Sequence, residues 1–188
     1  MGAGASSSLL TEKQVQKYVK ETGFSPPELE FLFRRFRFLC KNSNTLGAND
    51  LSSNPNLAAN PYVKRIFAVM PKDGYGQVTF DTFVKTAAIF RPGKPVVEKL
   101  KFIFDLFDYN LDDTLDVSEL HQILSLVRPD MSVEEREALI KTTVSEIVQK
   151  GGDPTKDGQI HGRNFVSFAK NIPNIDEILT LDLASHLV

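Results

Sequence analysis

Tryptophan is absent from this 188-residue chain, and cysteine occurs once, as Cys40. A single thiol excludes an internal disulfide and fits a reducing compartment. Net charge is scarce too. Lys and Arg number 22 against 24 Asp and Glu, which leaves −2 and no general pull toward nucleic acid or anionic lipid. No apolar run approaches the ~18 to 20 residues that span a bilayer. The N-terminus lacks a charged n-region followed by an apolar h-region, so no secretory signal is expected. No phosphate loop, catalytic triad or zinc motif appears. These absences point away from an enzyme, and Cys40 with His121, His161 or His186 is a poor basis for thiol chemistry, because a free buried cysteine is usually inert.

Phenylalanine, by contrast, is abundant at 14 residues, and 41% of the chain is hydrophobic. That is enough to bury a good core as one domain or as two small lobes. The most informative stretch is residues 108–119, DYNLDDTLDVSE. Oxygen-bearing groups fall at positions 1, 3, 5, 7, 9 and 12 of a twelve-residue loop, the spacing of an EF-hand calcium site. Calcium is a hard cation that takes six to eight oxygens. Asp108, Asn110 and Asp112 supply the first three, Thr114 a backbone carbonyl, Asp116 a direct or water-borne contact, and Glu119 two closing oxygens. Position 6 is Asp113 rather than the usual Gly. That position favours φ > 0, which Asp tolerates better than most side chains, so strain of ~1 kcal/mol is expected rather than a lost site. Leu100, Ile103, Phe104 and Phe107 precede the loop at helical spacing, and Leu120, Ile123, Leu124 and Val127 follow it on one helical face.

The unit repeats with decay. Residues 153–164 form a second loop with Asp153, Thr155, Asp157 and Gln159 at positions 1, 3, 5 and 7, Gly158 at 6 and Ile160 at 8. Position 12 is Asn164, which offers one oxygen and no charge. This loop is read either as a weaker Ca2+ or Mg2+ site or as a pairing loop that needs no ion. Residues 71–82 keep Gly76 and Val78 but place Pro71, Tyr75 and Thr82 where ligands belong; residues 39–50 place Leu39 and Lys41 there. Both are read as metal-free hands. Leu46, Val78, Leu115 and Ile160 occupy position 8 of the four loops, as expected if the first pairs with the second and the third with the fourth.

The expected fold is all-α, with four helix-loop-helix units in two lobes and short β-bridges between paired loops. A capping box at Ser25 and Glu28, with Pro26 at the first helical position, opens one helix. Asn60 and Pro61 open another, and Ser132 with Glu135 a long third. The expected layout is an N-terminal arm and first helix (1–24), an N-lobe (25–90), a Pro- and Gly-containing linker (91–95), a C-lobe (96–172) and a tail (173–188).

Several stretches carry a resemblance to a known family. KETGFS at 20–25, the PNLAANP connector at 55–61, IFRP at 89–92 and EKLKFIFD at 98–105 are similar, in order and spacing, to the calcineurin B-like branch of the EF-hand proteins. That branch includes calcineurin B, its homologous proteins, plant calcineurin B-like sensors, and calcium- and integrin-binding proteins. The resemblance implies a calcium-binding regulator or adaptor that holds an amphipathic helix of a phosphatase, kinase, exchanger, receptor tail or channel in an apolar groove. Phe33, Phe36, Phe67, Phe83, Phe90, Phe104 and Leu124 are the expected groove residues. The alternative is a metal-indifferent structural subunit of a channel or other membrane complex. A calcium buffer fits poorly, since it would want several strong loops. MGAGAS at the start fits the N-myristoylation pattern at Gly2. One acyl chain binds membranes only marginally, so a second contact is required: a membrane protein partner, helped by Lys13, Lys17 and Lys20. The expected location is the cytoplasmic face of a membrane. The tail stripe Ile175, Ile178, Leu179 and Leu183 is read as a competitor for the groove or as plain packing.

Overall fold

The computed structural model describes residues 10–41, 43–151 and 159–181. The chain divides into two compact units, residues 1–94 with 180–188, and residues 95–179. The division falls between Lys94 and Pro95, at the end of a turn in which Gly93 takes a φ of 76°.

In the first unit α1 (Glu12–Thr22) starts at a Thr11–Gln14 capping box and stops at Gly23, whose φ of 75° is the left-handed C-cap that glycine favours. Helix α2 (Pro26–Leu39) opens as its sequence indicates, with the Ser25 N–H donating to Glu28 Oε2 at 2.7 Å. Strand β1 (Thr45–Leu46) follows, then α3 (Ala48–Ser52), α4 (Pro55–Ala58) and α5 (Pro61–Val69). One continuous exit helix is impossible here, because Pro55 and Pro61 lack the N–H that a helix interior needs. Strand β2 (Val78–Thr79) leads into α6 (Phe80–Ile89) and pairs antiparallel with β1, Leu46 opposite Val78. Phe24, Leu29, Phe36, Val78 and Val84 are almost fully buried. The Phe80 ring sits between Tyr18, Phe33 and Phe36 at centroid distances of 5.3, 4.9 and 5.6 Å; each such aromatic pair adds about 0.5–1.5 kcal/mol beyond its buried area. Helix α1 is tied to α6 by Lys17–Asp81 at 2.6 Å and Lys85–Glu21 at 3.1 Å.

The second unit holds α7 (Val96–Phe107), β3 (Thr114–Leu115), α8 (Val117–Val127), α9 (Val133–Gly151), β4 (Ile160–His161), α10 (Gly162–Ala169) and α11 (Ile175–Ile178). Strands β3 and β4 pair antiparallel, Leu115 opposite Ile160 and Thr114 opposite His161. The position-8 residues are therefore the bridge in both units. Phe104, Leu115, Ile147 and Ile160 form the core, with Phe107, Leu120, Ile123, Val144, Phe165 and Phe168 packed on it. The Ser132 N–H donates to Glu135 Oε2 at 2.8 Å, capping α9. Lys99 on α7 is fully buried, and its Nζ lies 2.7 Å from Asp176 Oδ1. A buried ammonium is tolerated only when paired and hydrogen-bonded, so this contact holds α11 against the unit.

Candidate calcium loop and apolar groove

Helix α7 ends at Asp108, whose N–H donates to the Phe104 carbonyl, and α8 begins at Asp116, whose side chain accepts from the Glu119 N–H at 2.8 Å. The two helix ends fix positions 1, 9 and 12 of the loop between them. Its oxygens turn toward the loop's own amides. Asp108 accepts from Asp112 N–H at 3.2 Å and Asp113 N–H at 2.9 Å. Asn110 Oδ1 accepts from Asp112 N–H at 3.1 Å, and Asn110 Nδ2 donates to Asp112 Oδ2 at 2.9 Å. Glu119 Oε1 accepts from Tyr109 N–H at 2.7 Å, while its Oε2 accepts from Asp116 N–H at 3.1 Å. Asp108 and Glu119 are only 3% and 4% exposed.

Hydrogen bonding from the Thr114 hydroxyl is the largest influence holding the Asp112 carboxyl below the usual range, with the Thr114 N–H adding to it. Burial, then the charges of Asp108 and Asp113, raise the carboxyl of neighbouring Asp105. Two residues of the loop store backbone strain: Leu111 at φ 59° and Asp113 at φ 63°. The loop thus brings Asp108, Asn110, Asp112 and Glu119 around one set of amides, with Thr114 and Asp116 at its edge. Among the described residues, no three acidic, His or Cys side chains are already drawn to a single point. The donor set nevertheless fits a hard divalent cation: it is all oxygen, two carboxylates are withdrawn from solvent, and loop N–H dipoles already steady them.

The fourth loop is described only in part. Gln159 is half-buried and Asn164 is buried at 1% exposure. Asp153, Thr155 and Asp157 lie outside the described residues, as does Gly2.

The first two loops are organised by protein cations, hydroxyls and single carboxylates: Asp73 Oδ1 accepts from the Tyr75 and Gln77 N–H groups at 2.9 Å, and Asp50 Oδ2 from the Gly47 N–H at 2.8 Å. Lys72 Nζ donates to the carbonyls of Phe67, Ala68 and Met70 at 2.8, 2.7 and 3.0 Å, capping α5. Arg37 Nη1 donates to the Ser43 carbonyl at 3.1 Å and to Asn44 Oδ1 at 2.7 Å. Thr82, at position 12, shares a hydroxyl contact of 3.0 Å with Thr79. Tyr75, at position 5, is 91% exposed. Cys40 is buried, its Sγ lies 3.0 Å from the Phe36 carbonyl, and burial pushes its thiol up to about 11. Such a thiol is a poor nucleophile.

The second unit also carries an apolar groove of about 320 Å3, whose walls include Ile103, Phe107, Ile123, Leu124, Ile140 and Phe165. Of the residues expected in a groove, Leu124 lines this one. Phe36 does not line this groove, and Phe104 lines a different cleft, with Lys101 and Asp113. At 1% and 2% exposure they are core, because the inward stripe of each helix is consumed by packing inside its own unit. Phe33, Phe67 and Phe83 are half-buried against the first unit's core, and Phe90 caps the end of α6. Ile175, Ile178 and Leu179 do not line the groove, and Ile178 is 69% exposed. Leu183 lies outside the described residues. Lys13, Lys17 and Lys20 are all exposed on α1, and Lys17 is engaged by Asp81.

Helix-loop-helix units paired through two-residue bridges, one with an intact oxygen set, define an EF-hand protein. The sequence matches the EF-hand domain pair family over residues 97–170. It is 30% identical over 181 residues to the type 1 calcineurin B protein of Dictyostelium discoideum, covering 95% of this chain and 98% of that protein. It is 29% identical to the calcineurin B protein of Naegleria gruberi, covering 92% of this chain and 94% of the relative. Identity to the calcineurin B protein of Schizosaccharomyces pombe is 28%, covering 87% and 92%. The chain belongs to the calcineurin B-like branch of the EF-hand proteins.

Proposed function

We propose that this chain is a non-catalytic, calcium-binding regulatory subunit that grips an amphipathic helix of a protein partner. Relatives named as subunits of calcineurin support a phosphatase catalytic chain as that partner. The observation that carries the reading is the second unit's groove, whose lining side chains are apolar apart from Thr143. It lies on the same helices, α7 and α8, that frame the candidate calcium loop. Ion binding at Asp108, Asn110, Asp112, Thr114, Asp116 and Glu119 reorients these helices or stiffens them, and so sets the width of the groove. An apolar trough without fixed polar anchors selects a helix by its i, i+3, i+4, i+7 stripe. With Leu39, Lys41, Pro71, Tyr75 and Thr82 at its ligand positions, the first unit takes no ion and keeps one shape, so calcium acts on the second.

Myristoylation at Gly2 places the protein at the cytoplasmic face of a membrane, with the partner as second anchor and Lys13 and Lys20 as minor aids. A mass increase equal to one myristoyl chain, lost in Gly2→Ala, tests this part.

The deciding experiment captures partners from cells in calcium and in chelator, with wild-type protein and with Leu124→Asp. The expected result is a phosphatase catalytic chain held by wild type and lost by the variant, with calcium strengthening the grip. Capture that ignores both the variant and the ion overturns the proposal and leaves a metal-indifferent structural subunit.

A further inference from the structure

Asp113 turns the calcium loop at its sixth position with a left-handed backbone, and its side chain has to go somewhere. The β3–β4 register, Thr114 opposite His161, continues by one step to set Asp113 opposite Gly162. The Gly162 N–H donates to the Asp113 carbonyl at 3.1 Å, which makes an additional link between the two loops. Gly162 is not among the residues with positive φ, so its backbone would accept any side chain. Space is what forbids one. A Cβ at Gly162 would lie 2.5 Å from Asp113 Oδ1, 3.4 Å from Asp113 Cγ and 3.3 Å from Phe104 Cε1. The Phe104 contact asks for a shift of only a few tenths of an ångström, whereas the Asp113 carboxylate would have to move away. The carboxylate faces a cleft of about 580 Å3 that is also lined by Lys101, Asp105, Arg163 and Lys170.

We propose that Gly162 is a positioning residue of the calcium loop: its missing side chain makes room for Asp113 at the turn, and the pair holds loop 3 in its ion-binding shape. The inference rests on the calcium reading of residues 108–119. Its consequence is that the fourth hand tunes the third whatever its own occupancy. It also explains why a side chain at loop position 6 coexists with an otherwise complete ligand set.

The test is a double-mutant cycle on the full chain, with wild type, Gly162→Ala, Asp113→Gly and the double variant. Calcium binding is read by calorimetry, and thermal unfolding is read in chelator. Gly162→Ala alone is expected to weaken calcium binding by about tenfold and to lower the melting temperature. In the Asp113→Gly background the same change is expected to be harmless or stabilising, because Ala is the better helix former at the start of α10. If Gly162→Ala fails to fold, recovery in the double variant supports the pairing, and failure of both overturns it. Equal losses with and without Asp113 also overturn it, as does a Gly162→Ala protein that binds and melts like wild type. Should wild type itself bind no calcium, the calcium reading falls, and the melting cycle in chelator still decides whether the two residues are coupled.

Discussion

The loops of the first unit and loop 3 of the second solve one problem with different mixes of charge. Each must hold a tight turn between helices whose ends expose unpaired backbone groups. In the first unit cations and carboxylates share the work: Lys72 covers three carbonyls at the end of α5 and Arg37 grips the Ser43 carbonyl, while Asp73 accepts from the Tyr75 and Gln77 N–H groups and Asp50 from the Gly47 N–H. In loop 3 the charge is all negative, and the carboxylates of Asp108, Asp112 and Glu119 all take up amide N–H groups. Each first-unit loop brings one such carboxylate and loop 3 brings several, so only loop 3 approaches the charge that a divalent cation requires. A loop that gathers carboxylates becomes a receptor for one. The expected consequence is a scaffold that is permanent in one unit and ion-dependent in the other.

The sharpest way to break this contrast is Glu119→Gln. It keeps an oxygen for the Tyr109 N–H and removes the charge that closes the shell. Calcium affinity is expected to fall about a hundredfold or more, since the closing carboxylate supplies two of the ligand oxygens. Titration calorimetry reads it directly. A variant that binds as wild type does would mean that loop 3 is not the site.

Lys72→Met attacks the other side. Three carbonyls lose a charged donor near a helix C-terminus. The expected loss is about 1 kcal/mol, small because the ammonium is solvent-exposed. The melting temperature should fall equally with calcium and with chelator. A loss confined to one condition would show that the first unit is not independent of the ion.

Much of this contrast was legible in the residues. The oxygen spacing of 108–119 and the Lys41 and Pro71 substitutions singled out the candidate site, and the four position-8 residues announced how the loops pair. What escaped was the identity of the replacements. Lys72 sits at loop position 2, where no ligand is expected, and a flexible four-carbon stem reveals its acceptors only in three dimensions. Groove and core were also confused. Periodicity marks an inward helix face, but Phe36 and Phe104 lie deep in that face while Phe107 and Leu124 lie at its open side. Gly162 gave no local signal, because its reason is a side chain 49 residues earlier in the chain, a separation read directly from the two numbers.

Strain sharpens the comparison further. Leu111 holds φ 59° with its side chain 70% exposed, so it contributes little packing in return. Left-handed backbone costs a non-glycine residue roughly 1–2 kcal/mol, and Gly carries an extra unfolded-state entropy of roughly 0.5–1 kcal/mol. Leu111→Gly should therefore stabilise the second unit by about 0.5 kcal/mol. Chemical denaturation in chelator measures it. Destabilisation would mean that the exposed leucine packs on something when the protein is at work.

The smallest effect concerns the Lys17–Asp81–Lys85 cluster that ties α1 to α6. Burial by itself would raise the Asp81 carboxyl, but hydrogen bonds from Lys17 and Lys85 hold it below its ordinary value of 3.8. Its contribution is present above that value and is lost as pH falls through the lower folded one. Hydrogen bonds to Asp81 raise both lysines above 10.5, so their share is full below 10.5 and is lost as pH rises through their folded values. The cluster thus works on a plateau between these limits. Asp81→Asn should lower the melting temperature slightly at neutral pH, and the gap to wild type should close in strong acid. Salt should shrink the neutral gap too, because the side chains are 35–47% exposed and well screened. A gap that persists in acid or high salt would assign the loss to packing at the α1–α6 contact rather than to charge.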